Sequence, residues 1–108
     1  MLRSITTDEL MDTVSPQCRY ATLSVLLERH KQNKKWGEQN HDAYRWITIL
    51  MEEMGEVSQA VLQSEFGGDK GGQKNVHDEM VQVAAVALAM VECCNGNEWG
   101  RKCTRRLS

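Results

Sequence analysis

From Met80 to Val91 the chain holds one residue, Gln82, that is not apolar. A run without alternation reads as a helix that is hydrophobic on every face, and such a helix has to be covered on all sides. It is far too short to cross a bilayer, which takes about 20 apolar residues. The cover must therefore be protein, and 108 residues with three main helices can hardly supply it. Homo-oligomerisation is the expected solution. The run also opens on a charge, Glu79. An unpaired carboxylate beside such a segment is expensive, and buried acids are normally paired or bound to metal.

A second acidic segment gives Glu79 its partners. Glu52-Glu53-Met54-Gly55-Glu56 precedes it, with 22 residues between Glu56 and Glu79. Acids three apart on a helix face the same way, with Cβ atoms about 5–6 Å apart. In an antiparallel hairpin of the two segments, Glu53 and Glu56 converge on Glu79 with Gln82 beside them. Two carboxylates about 5 Å apart at an effective dielectric near 20 repel by roughly 3 kcal/mol, a cost that a bound dication removes. Oxygen ligands at this density suit Mg²⁺, with Mn²⁺ as a substitute, and such ions usually hold substrate phosphates as well.

The rest of the chain is helical too. Strand-type alternation is absent, there is a single proline, and apolar residues recur at three- and four-residue spacing. Thr6 or Thr7 caps a short first turn through Leu10 and Met11. Ser15 then caps a helix with Pro16 in its first turn, running to about Gln32 with Tyr20, Leu23, Leu26 and Leu27 on one side. Residues 33–41 read as a loop. A long helix from about Asp42 to Ser64 carries Trp46 or Ile47, Leu50, Met54, Val57 and Val61 as its stripe. Gly55 inside it costs about 1 kcal/mol against alanine, which suggests a close approach by another helix or a ligand. Residues 66–74, with four glycines, form a connection, and Asn75 caps a last helix from Val76 to about Cys94.

The expected fold is thus all-α, a helical bundle with a central antiparallel helix hairpin, completed by oligomerisation. One domain spans residues 1–108, with a core at about 15–94 and a basic tail at 95–108. The net charge of −2 gives no general attraction for nucleic acid or an anionic membrane. The first residues lack the apolar run of a signal peptide, and Cys18, Cys93, Cys94 and Cys103 show neither zinc-site spacing nor a disulfide framework. The expectation is a cytoplasmic protein with reduced cysteines.

The motif Glu-Glu-x-x-Glu followed by Glu79-x-x-Gln82 resembles the EExxE and ExxD signature of MazG-like proteins in the all-α nucleoside triphosphate pyrophosphatase superfamily. The likeness covers about residues 28–94 and includes Lys35-Trp36-Gly37-Glu38-Gln39-Asn40-His41 and Trp46-Ile47-x-x-Leu50. It implies a Mg²⁺-dependent hydrolase that converts a nucleoside triphosphate to the monophosphate and pyrophosphate, built as a dimer or tetramer. Carried over by position, Glu53, Glu56 and Glu79 are metal ligands. Gln82 stands where the family usually has aspartate, and an amide oxygen ligates without supplying charge. Water would attack the α-phosphorus, oriented or deprotonated by Glu53 first and Glu52 next. Lys70 and Lys74 are candidates for the leaving pyrophosphate, Trp36 for stacking on the base, and His41 for a hydrogen bond to base or phosphate. The competing reading is a binding module of the same build, with hydrolysis weakened by Gln82.

Overall fold

The structure, a computed structural model, describes residues 4–37, 41–67 and 75–93. Four helices are present and, among the described residues, no strand. Helix α1 spans Thr7–Thr13 and opens on a capping box: Thr6 Oγ1 accepts from the Glu9 amide, and Glu9 Oε1 accepts from the Thr6 amide at 2.9 Å. Helix α2 spans Pro16–Trp36, with Ser15 Oγ accepting from the Cys18 amide and proline where its missing N–H costs nothing.

α2 overruns the expected end at Gln32, so the first part of the expected 33–41 loop is helical. Lys34 and Lys35 favour the carbonyl end of the helix dipole. The stop comes at Gly37, whose φ of 75° suits glycine and whose N–H reaches the Asn33 carbonyl. Helix α3, Ala43–Leu62, is capped by Asp42, which accepts from the Arg45 amide at 2.9 Å, and it widens into a π-helical turn at Gln63–Gly67. Helix α4, Val76–Cys93, starts as expected at Asn75, whose Oδ1 accepts from the Asp78 amide at 3.0 Å.

α4 is the shared element. It packs most extensively against α3, and α2 packs on it as well. The core cluster is Trp46, Val86 and Ala89, flanked by Ile49, Leu50, Met90 and Cys93. Trp46, rather than Ile47, is the inward residue, 2% exposed against 47%. Ala60 on α3 and Ala85 on α4 are fully buried as well.

Tyr20, Leu23, Leu26 and Leu27 form the expected stripe on α2, and it faces outward, each residue more than half exposed. The half-buried side of α2 carries Val25, Glu28, Arg29 and Gln32 instead. Gly55 admits no close neighbour: a Cβ built there would meet nothing within 4 Å. Cys93 is disulfide-bonded, so the reading of all cysteines as reduced fails for it, while Cys18 is free and exposed. No helix among the described residues is long and apolar enough to cross a membrane. The expected basic tail at 95–108 lies outside the described residues.

Candidate metal centre and adjoining cleft

Glu53 and Glu56 lie one turn apart on α3, and Glu79 sits in the first turn of α4. The packing of α3 on α4 brings them together: one carboxylate oxygen from each lies within 4.8 Å of the others. Glu79 is 8% exposed, the one buried charged residue among those described. Its place at the helix N-terminus offsets part of the cost, because the amide end of the dipole favours an anion.

Glu53 is the electrostatic centre of the group. Burial raises its pKa above the ordinary carboxylate value, and the charges acting on it, Glu56, Glu79, Glu28 and Glu52, raise it further. All of them are carboxylates. Its Oε1 is buried without a hydrogen-bond partner among the described residues. A set made only of oxygen donors, anionic, crowded and partly desolvated, fits a hard dication such as Mg²⁺, Mn²⁺ or Ca²⁺ and does not fit a soft metal.

A cleft of about 990 Å³ adjoins the acids, walled by α2, α3 and α4. Glu28, Glu52, Glu53 and Gln82 line it near the carboxylate group; Arg29, Trp36, His41 and Glu92 also line it. Gln82, one turn beyond Glu79 on α4, lines the same cleft as Glu53. Glu52 is exposed and reaches the cleft from the side of α3 next to Glu53. His41 packs edge-on against Trp46, ring centroids 4.8 Å apart. Burial first, and Arg45 second, lower its pKa, with Asp42 opposing, so it is a neutral imidazole at pH 7. Trp36 is 55% exposed at the rim, with Lys35 Nζ 4.9 Å from its ring centroid. So exposed, it does not anchor the core, and Lys35 lies over one face of its ring. Lys70 and Lys74 lie outside the described residues.

Sequence reasoning missed Glu28, Arg29, Arg45 and Glu92, all on the cleft wall. Arg29 is the best held of them: its guanidinium pairs with Glu92 across α2 and α4 and donates to Asn33 Oδ1 at 3.2 Å. The signal was present. Val25, Glu28, Arg29 and Gln32 recur at helical spacing as regularly as the leucines do, and a polar stripe is what a ligand cleft needs.

Comparison with family models, with curated proteins and with solved structures gave no match in any of the three.

Proposed function

We propose that this protein is a Mg²⁺-dependent nucleoside triphosphate pyrophosphohydrolase of the MazG-like kind, acting as a homo-oligomer around a hairpin of α3 and α4. The convergence of Glu53, Glu56 and Glu79 to within 4.8 Å, beside a cleft large enough for a nucleotide, is the observation that carries the reading. Glu53, Glu56 and Glu79 would hold the ion, with the Gln82 amide oxygen available as a neutral fourth donor. When bound, the ion supplies charge neutralisation and lowers the pKa of water.

The chain's own residues account for the remaining steps. Glu53, beside the ion it would help to hold, accepts a proton from the attacking water. The new bond joins that water oxygen to the α-phosphorus, and the bond from the α-phosphorus to its bridging oxygen breaks. Pyrophosphate leaves, and the monophosphate keeps the base and sugar. Glu52, exposed next to Glu53, serves as the relay that returns the proton to solvent. Self-association is supported by the outward leucine stripe of α2, which a second copy would cover.

The test is incubation of the purified protein with each common ribo- and deoxyribonucleoside triphosphate plus Mg²⁺, with monophosphate and pyrophosphate measured. Release is expected from at least one substrate, and Glu53→Ala and Glu56→Ala should each lower it about a hundredfold or more while the helical circular dichroism persists. Nucleotide-dependent thermal stabilisation without any release would show the binding module instead, with Gln82 the reason that hydrolysis is lost.

A further inference from the structure

The cleft has two chemically different ends, and the proposed ion would occupy only one of them. Along α4, Gln82 and Glu92 are ten residues apart, about 15 Å at 1.5 Å per residue. That separation matches a triphosphate at the acids and a base at Glu92. Arg29 is held at the Glu92 end by its pair with that carboxylate. Resting on the nucleotide reading above, we infer that the Arg29–Glu92 pair reads the edge of the base and favours guanine or cytosine over adenine, uracil or thymine.

The inference follows from what a paired guanidinium and carboxylate still offer. Arg29 is well buried, its side chain 16% exposed, whereas that of Glu92 is 56% exposed and open to a ligand. A guanidinium carries five N–H donors and a carboxylate about four acceptor sites, so one mutual bond leaves both with capacity. Arg29 Nε has no hydrogen-bond partner among the described residues. Side by side, the pair presents acceptors next to donors, and a base satisfies it best with a complementary edge of three adjacent groups. Guanine gives its two N–H groups to the carboxylate and its O6 to the guanidinium. Cytosine gives its amino group to the carboxylate and its N3 and O2 to the guanidinium. Adenine offers only an amino group beside N1, and uracil and thymine have a single donor between two carbonyls. Trp36 at the rim and His41 beside the same wall provide surfaces for the ring face.

Guanine and cytosine use the pair in opposite ways, which separates them experimentally. Guanine should lose most on Glu92→Gln, where an amide hydrogen replaces an acceptor, and cytosine should lose most on Arg29→Lys, which keeps the charge but not the fork. Binding of GMP, CMP, AMP and UMP, measured by calorimetry, reports base preference whether or not hydrolysis occurs, and the triphosphate panel above is run in parallel. Expected is binding of GMP or CMP at least tenfold tighter than of AMP and UMP. The matching variant should bring that preference down to the level of the others, without changing the affinity for AMP by more than about twofold. Equal affinity for all four bases, no binding of any, or an equal loss for all four in both variants would overturn the inference and reduce the pair to a tie between helices. Triphosphate turnover with such a result leaves the hydrolase standing. Selective binding without turnover keeps the base reader and removes the hydrolase.

Discussion

Helices α2 and α4 are both rich in apolar residues, yet they use them in opposite directions. α4 turns Ala85, Val86 and Ala89 into the core and packs Val86 and Ala89 on Trp46 of α3. α2 sends Tyr20, Leu23, Leu26 and Leu27 to the outside and lays Glu28, Arg29 and Gln32 over the cleft. The difference teaches that periodicity identifies a stripe but not its destination. An inward stripe stabilises one chain; an outward one is what the proposed assembly would cover, and it leaves the inner face of α2 to polar residues.

Breaking the α3–α4 side of this contrast should have the largest effect. Trp46→Ala removes the largest fully buried side chain, and a loss of about 3–5 kcal/mol is expected in denaturant unfolding. The α2 side should behave differently: Leu23→Ser with Leu27→Ser should lower the oligomeric state in sedimentation without a comparable loss of helix content. An unchanged assembly would show that these leucines face solvent in solution too.

A smaller effect sharpens the contrast at the acids. Because the Glu53 pKa is raised in the folded chain, the folded state binds more protons than the unfolded one above the ordinary carboxylate pKa. Without metal, stability from this group therefore falls as pH rises through its folded pKa, and Glu53→Gln should raise Tm by a few degrees at pH 7 but not at pH 4. Added Mg²⁺ should reverse the order at pH 7, since the parent chain gains a ligand-linked stabilisation that the variant lacks. The smallest change is expected from Gly55→Ala. The site is helical and open, so a gain of about 0.5–1 kcal/mol follows from propensity alone.

Much of the fold was legible before the structure. The caps at Ser15 and Asn75 and the all-α character follow from local rules. Glu53, Glu56 and Glu79 were legible as a group because the cost of burying Glu79 demanded company. Less visible was anything that depends on how helices rotate about their own axes. The leucines of α2 were legible as one side of the helix, but not which way that side faces, and Glu28 and Arg29 on the opposite side went unremarked. Gly55 misled for a related reason: a helix-weakening residue suggested a close neighbour, and the described residues supply none.

The small residues of α4 that pack on Trp46 of α3 have a consequence for how the site can vary. Ala89 is buried against that indole, so a larger side chain there would have to push the helices apart. Glu53 and Glu56 ride on one of those helices and Glu79 on the other, and a wedge would carry their oxygens away from each other. If the site holds an ion as proposed, the gap that selects it is calibrated at a distance by a methyl group, and ion selectivity becomes a heritable property of a position that never touches the ion.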